Sequence, residues 1–454
     1  MKTVVCKLNV FLFLCTAVVL MLMSMMVLLH KGSLTISRTQ RGYTYSAWSS
    51  FVTADKYTKE EYKNMCFNKF ATPSIGVLYD MVEEWKISTH PVCRQYLAIF
   101  NTIFTVRKRS GSLNIPDTFV PKMLKWLGGN KKYLEEAQHQ TITITFNELT
   151  RDSTIFNPLR GKRPITKPEI SERLYVDNLA EKSGKTCDFC ESTYKKYTGI
   201  DPFGRLETSH AFTASNAFKY DAWHTMVVFR NHHPLDWNFI EFMDLFQLTL
   251  DWVNKVHYTD PNYKYPIVMW DLLPHASASQ IHPHVHVTME TDRYYGSQEN
   301  WRLAAEQYSK MFPDRNYFTD LIHLHDILGL AVHVDDVVAY ASITPKKDNE
   351  IVIMAESPSA NFFHMIYYVT RAFIEDMDHL CYSMSIVYPE MGSSNTGRMP
   401  TLARIVTRGS VSEIRSDISS LELFAASNVN VDPFKAIQFI RKSIKHRKHL
   451  VKTS

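Results

Sequence analysis

Three histidines at alternate positions, His282, His284 and His286, stand in the run His-Pro-His-Val-His-Val. Alternate residues of a β-strand share a face. The three imidazoles would therefore line one side of a strand, with Pro283, Val285 and Val287 packed behind. Such a row can hold a metal or present a nucleophile. A neutral imidazole can attack phosphorus to give a covalent phosphoramidate. It needs a partner on its other ring nitrogen and donors for the phosphoryl oxygens. Ser277, Ser279 and Gln280 lie just upstream, on the turn that enters the strand, and offer hydroxyl and amide donors. Cys187 and Cys190 form a Cys-x-x-Cys pair. There is no second such pair, so an all-cysteine zinc site is disfavoured. Two cysteines complemented by two histidines would close a four-ligand structural zinc site. The histidines on offer are His232, His233, His275 and the triad itself.

The elements that must position these residues have mixed periodicity. Thr-Ile-Thr-Ile-Thr-Phe from Thr141 alternates as a half-buried strand does. His224 to Phe229, Tyr265 to Trp270 and the histidine run also read as strands, and Trp237 to Val256 as one long apolar helix. After about residue 300 the order partly recurs: a helix, two strands, the helix of FFHMIYYVTRAFIEDM, the strand YSMSIVYP, and a basic amphipathic helix, FKAIQFIRKSIKHRK. This is an α+β pattern with a weak internal duplication. Residues 56–135 read mostly helical and carry no recognisable chemistry. In that stretch Cys66 and Cys93 would pair in an oxidising compartment and stay reduced in the cytosol. His323 and His325 alternate within an apolar stretch and read as packing residues. Arg404 and Arg408, near Gly409, are either structural or within reach of a substrate phosphate.

With 454 residues, 45% apolar and 13% aromatic, the chain is neither disordered nor short of a core. The excess of 51 basic over 46 acidic residues is small and forms no concentrated stripe, so no nucleic-acid partner is expected. Seven cysteines do not make a disulfide scaffold. Residues 8–29 hold no charge, proline or glycine and reach the roughly 20 residues a membrane-crossing helix needs. They offer only a poor cleavage site, so an uncleaved anchor is favoured over a cleaved signal, and the expectation is a single-pass membrane protein anchored near its N-terminus. Flanking charges are nearly tied and leave cytosolic and lumenal placement open.

The motifs together resemble the histidine triad superfamily, in its galactose-1-phosphate uridylyltransferase-like branch. The resemblance rests on Ser279-Gln-Ile-His282-Pro-His284, on Cys187-Asp-Phe-Cys190 and on Phe229-Arg-Asn-His232-His233. It extends to Arg160-Gly-Lys-Arg163-Pro164 and Asn216-Ala217-Phe218. Order and spacing match over residues 141–290, and residues 300–445 look like a degenerate second half. The resemblance implies two fused histidine-triad-like half-domains, antiparallel sheets with helices, at 141–295 and 300–445. A transmembrane anchor at 8–29 and a stalk with helical extension at 32–135 precede them.

The resemblance also implies roles. His284 would be the nucleophile that takes up a nucleoside monophosphate. Cys187, Cys190, His282 and His233 would hold structural zinc, with the spacing from Phe229 favouring His233 over His232. Ser279 would contact the phosphates, with Ser277 and Gln280 beside it. Arg160 and Arg163 would hold a sugar phosphate, with a possible homodimer as in the family, and Asn216 would contact the nucleoside. The chain departs from the transferases at His286, where they carry glutamine; histidine there is typical of the hydrolase branches. Ala217 replaces an aspartate, and Tyr382-Ser-Met-Ser385 stands where a second metal-binding His-x-His would fall.

The function expected is nucleotidyl transfer on nucleotide sugars through a nucleotidyl-histidine intermediate. The alternative is hydrolysis or phosphorolysis of a nucleotide sugar or dinucleotide, motivated by His286. A third reading is a membrane-tethered nucleotide-binding protein on an inactive enzyme fold.

Overall fold

The computed structural model describes residues 48–53, 57–67, 72–162, 170–394, 396–413 and 415–451. Its strands are β1 (Phe104–Ser112), β2 (His139–Asn147), β3 (Ser153–Phe156), β4 (Ala211–Ser215), β5 (Trp223–Phe229), β6 (Tyr265–Leu272) and β7 (His284–Glu290), followed by β8 (Ala331–Val334), β9 (Val337–Ala341), β10 (Ile351–Ala355), β11 (Tyr382–Val387), β12 (Thr401–Thr407) and β13 (Ser427–Val429). Nine of them form one sheet in the order β4-β5-β7-β6-β11-β12-β10-β9-β8. Strands β4 to β7 come from the first expected half and β8 to β12 from the second. The halves join where β6 pairs antiparallel with β11, Trp270 opposite Met384. Fusing the sheets along this seam leaves no open edge at the middle of the molecule.

Each half contributes a helix to the core. In the first it is α5 (Phe239–Thr259), preceded in the chain by α1 (Lys59–Cys66), α2 (Leu78–Ile87), α3 (Pro91–Ile103) and α4 (Glu172–Gly184). A reciprocal cap starts α5: the Asn238 side chain accepts from the Glu241 amide, and the Glu241 carboxylate accepts from the Asn238 amide. Its apolar residues recur at helical spacing, and Phe242, Leu245, Phe246, Trp252 and Val256 are all buried. The second half supplies α6 (Ala360–Arg371), which meets α5 through the stacked rings of Phe246 and Phe363, 5.0 Å apart. The C-terminal helix α7 (Pro433–Val451) spends part of its basic face on this body. Arg441 donates to the carbonyls of Gly329 and Ala331, and Arg447 pairs with Glu375 and Asp376.

The extension differs from its mostly helical expectation. Residues Phe104–Ser112 form β1, paired along its whole length with β2, from Phe104 opposite Asn147 to Ser112 opposite His139. The alternating β2 needs a partner for its backbone, and pairing overrides the weak local preference of the charged Arg107–Arg109 stretch. Strand β13 then adds parallel to β3, so the small sheet β1-β2-β3-β13 draws on both ends of the chain. Ala47–Ser454 form one compact unit. His325 packs as expected, buried against Tyr340 with ring centroids 4.1 Å apart, although its segment is a helix and not a strand.

The expected membrane span, residues 8–29, lies outside the described residues. Among the described residues no helix is long and apolar enough to cross a membrane. The structure therefore gives the single-pass membrane expectation no support, and that expectation is withdrawn.

Cys66, at the end of α1, and Cys93, in the first turn of α3, form a disulfide across a sequence separation of 27. Both are buried, and the Cys93 carbonyl accepts the Trp85 indole proton at 2.7 Å. Closing a loop of this length removes about 3–4 kcal/mol of unfolded-chain entropy. Replacing both cysteines by alanine should lower unfolding free energy by about that amount in a denaturant titration. An unchanged midpoint would show that the crosslink is absent or contributes nothing.

Candidate functional site

Strand β7 begins at His284, between β5 and β6, so the site sits at the centre of the first half's sheet. His282 precedes the strand and turns into a cluster with the Cys-x-x-Cys loop. Its Nδ1 lies 3.4 Å from Cys187 Sγ and 3.9 Å from Cys190 Sγ. The fourth member is His232, whose Nδ1 lies 3.4 Å from Cys190 Sγ and 3.2 Å from His282 Nδ1. The Thr193 hydroxyl holds the cysteine loop by donating to the carbonyls of Cys187 and Cys190.

This corrects the expectation of His233 as the ligand. Its ring points away, with Nε2 3.2 Å from Asp177 and Nδ1 3.1 Å from Asp236. After β5 ends at Phe229, the turn through Arg230 and Asn231 decides which of two adjacent rings faces inward, and spacing from Phe229 does not reveal that. Asn231 fixes the outcome by accepting the His233 amide proton on its side chain. Gly184, at the end of α4, packs beside His232, where a Cβ would lie 3.4 Å from the imidazole.

The four residues fit a metal. His232 Nε2 lies 3.0 Å from the Ala180 carbonyl and His282 Nε2 2.6 Å from that of Phe229. Each ring must carry its proton on Nε2 to donate there, so both Nδ1 atoms face one another as bare lone pairs. Two such lone pairs repel unless a cation lies between them. Carbonyl-oriented histidines are the usual second layer of a metal site. The separations, 3.2 to 3.9 Å, lie close to the roughly 3.3–3.8 Å edges of a tetrahedral zinc site with sulfur and nitrogen ligands. Burial and the neighbouring Cys187 push the Cys190 thiol up to about 11, so metal binding there would displace protons.

His284 uses its ring in the opposite sense. It is buried, and its Nδ1 lies 2.9 Å from the His282 carbonyl. The proton therefore sits on Nδ1, and Nε2 keeps the lone pair of a nucleophile. Burial lowers its pKa, which favours the neutral imidazole such attack requires. Phe189, between the two cysteines, packs edge-on against both His282 and His284.

The third histidine has a partner that sequence reading missed. The Tyr220 amide donates to His224 Nδ1 at 3.0 Å, which places the His224 proton on Nε2. That proton points at His286 Nδ1, 3.0 Å away, so His286 carries its own proton on Nε2. Burial lowers His286 to about 3 and His224 to about 4, so both are neutral near pH 7. Tyr220 stacks on His224 at 4.6 Å and leaves its other surface exposed. His224 is a lone histidine at the start of β5, and only the cross-strand register brings it to His286.

The remaining expected residues are placed as follows. Asn216 lies in the β4–β5 turn, its Nδ2 3.3 Å from His224 Nε2. Ser277 and Ser279 are exposed and Gln280 partly buried in the loop between β6 and β7. Arg160 lines a polar cavity of about 360 Å³ with Lys347, Asn349, His379 and Asp417, and no residue from 282 to 286 lines it. The Asn349 side-chain oxygen is buried there without a hydrogen-bond partner. Arg163 lies outside the described residues.

No protein-family profile and no curated protein matches the sequence. Among solved structures, an ADP-glucose phosphorylase from Arabidopsis thaliana aligns at TM-score 0.49 and 13% identity, over 65% of this chain and 97% of that one. A GalT-like protein from the same organism gives 0.45 and 13%, over 57% and 92%. A uridylyltransferase gives 0.42 and 11%, over 53% and 86%. All three alignments have a TM-score below 0.5 and an identity of 13% or less.

Proposed function

We propose that the chain is a nucleotidyltransferase acting on nucleotide sugars, with His284 as nucleophile. The observation that carries the reading is the His284 tautomer: the His282 carbonyl holds the Nδ1 proton and leaves Nε2 free to attack. In the first step Nε2 attacks the α-phosphorus, a P–N bond forms, and the P–O bond to the sugar phosphate breaks. The His286 Nε2–H donates to the departing or non-bridging oxygen, and Ser277, Ser279 and Gln280 supply further donors. In the second step a phosphate oxygen of an acceptor sugar phosphate attacks the same phosphorus, the P–N bond breaks, and a new nucleotide sugar leaves. Arg160 and Arg163 take the acceptor's phosphate, and Asn216 contacts the nucleoside. The polar cavity beside Arg160, with its unmatched Asn349 oxygen, suits a hydroxyl-rich acceptor. Cys187, Cys190, His232 and His282 would hold a zinc ion, which would supply structure by fixing His282, whose carbonyl orients His284.

The His224–His286 pair favours a second reading, in which water or inorganic phosphate resolves the intermediate. The reading is motivated by histidine at position 286, where the transferases carry glutamine. Incubation with a nucleotide sugar, with and without hexose 1-phosphate, separates the two. The transferase reading expects label from hexose 1-phosphate to enter the nucleotide sugar. Release of nucleoside monophosphate at full rate without acceptor would reject it.

A further inference from the structure

The loop that carries Ser277, Ser279 and Gln280 into β7 has an unfavourable backbone. Leu273 sits at φ 74°, ψ 157° and Ser277 at φ 83°, ψ 10°, regions that side-chain-bearing residues avoid. Such a loop keeps its shape only where its surroundings over-determine it. Two buried side chains brace it: Cys381 donates from Sγ to the Leu272 carbonyl at 3.1 Å and meets the Ala276 backbone, and Arg408 reaches the loop's middle. Arg408, just after β12, donates from Nη1 to the Ala276 carbonyl at 3.2 Å and to Ser383 Oγ at 2.8 Å. Its Nε and Nη2 form a two-pronged pair with Asp417 at 2.8 and 2.9 Å. The Ser383 hydroxyl donates a hydrogen bond to Asp271, two residues before Leu273, at 2.6 Å. The Arg408 guanidinium thus ties the loop to β11 and to Asp417. The planar fork is a geometry that lysine cannot reproduce.

The far end of the clasp is also informative. Asp417 and Lys347 line the polar cavity that holds Arg160, and the Lys347 ammonium donates to the Asp417 carbonyl at 2.5 Å. Gly409, at φ 82°, lines the same cavity, and a Cβ there would lie 3.7 Å from His275 Nε2. The cavity wall and the serine loop are therefore two sides of one contact. Arg404, four residues before Arg408, is different: it is partly buried, pairs with Glu350 and Asp152, and is structural.

We propose that Arg408 is a positioning residue for the nucleotidyl-transfer step, holding the 273–280 loop so that its serine and amide donors meet the reacting phosphate. This rests on the reaction assigned above. The test uses the full chain as wild type, Arg408→Gln, Arg408→Lys and, as a milder loosening, Asp417→Asn. Two readouts are taken. The first, made without substrate, is amide hydrogen exchange across residues 275–282. The second is the single-turnover rate of His284 labelling by a saturating nucleotide sugar, alongside zinc content and the dissociation constant.

Arg408→Gln is expected to speed loop exchange at least about tenfold and slow labelling roughly 30- to 100-fold, the scale of a misplacement of about 1 Å. Zinc content should hold, and the dissociation constant should move by less than about threefold. Arg408→Lys and Asp417→Asn should fall between. Unchanged exchange, or labelling within about twofold of wild type, would overturn the proposal. So would a loss of labelling that only tracks lost zinc or lost fold in all three variants. A wild-type chain that never labels, while Arg408 still governs loop exchange, would instead fault the assigned reaction.

Discussion

Replacing His232 by alanine should strip the chain of bound zinc and collapse the cysteine loop, whereas replacing His233 by alanine should leave one zinc per chain. The difference follows from which imidazole faces the cluster. His232 Nδ1 lies against Cys190 Sγ and His282 Nδ1, while His233 is engaged by Asp177 and Asp236. Structural zinc contributes on the order of 10 kcal/mol in small domains, so losing one of four ligands should lower the melting temperature by far more than an exposed substitution. The loss should also reach catalysis. His282 is both a proposed ligand and the owner of the carbonyl that orients His284, so a freed His282 leaves the nucleophile unaligned. Elemental analysis and thermal melts of the two variants decide the matter. Zinc lost from the His233 variant and kept by the His232 variant would contradict the assignment.

The second large effect is at His284. His284→Asn keeps a polar side chain of similar reach but has no nucleophilic ring nitrogen. The rate of nucleotide transfer should fall at least about ten-thousandfold, about 5.5 kcal/mol of transition-state stabilisation. Folding and zinc content should survive, because His284 is not a member of the metal cluster. His286→Gln, which restores the residue the transferases carry, should be far milder. If His284→Asn turned over within about tenfold of wild type, some other group would be the nucleophile.

Much of the half that carries the histidine strand was legible because its signals are local. The alternation of His284 and His286, the apolar run of α5 and the Cys-x-x-Cys pair each fix side-chain direction within a few residues. What the sequence hid depends on contacts distant in the chain. The choice between His232 and His233 is made by a turn after β5, where one residue of drift flips the ring to the other side. His224 has no spacing relation to His286 and becomes its partner only through the antiparallel register of β5 and β7, Met226 opposite His286. Strand β1 looked helical by its neighbours and is a strand because β2 offered it an edge. The seam of β6 with β11 joins residues more than a hundred positions apart, which periodicity cannot report. Arg408 was visible as a basic residue near a glycine. Its hold on the Ala276 carbonyl was not, because the loop and β12 meet only in the folded sheet.

The central claim is a covalent nucleotidyl-His284 intermediate, and it can be observed directly. Wild-type chain is mixed with a nucleotide sugar labelled in the α-phosphate, quenched in alkali, where a phosphoramidate survives, and digested for peptide mass mapping. The account predicts one nucleoside monophosphate on the peptide containing His284, formed at least as fast as turnover and discharged by hexose 1-phosphate. Turnover with no covalent label at any time, or with the label on another residue, would contradict it.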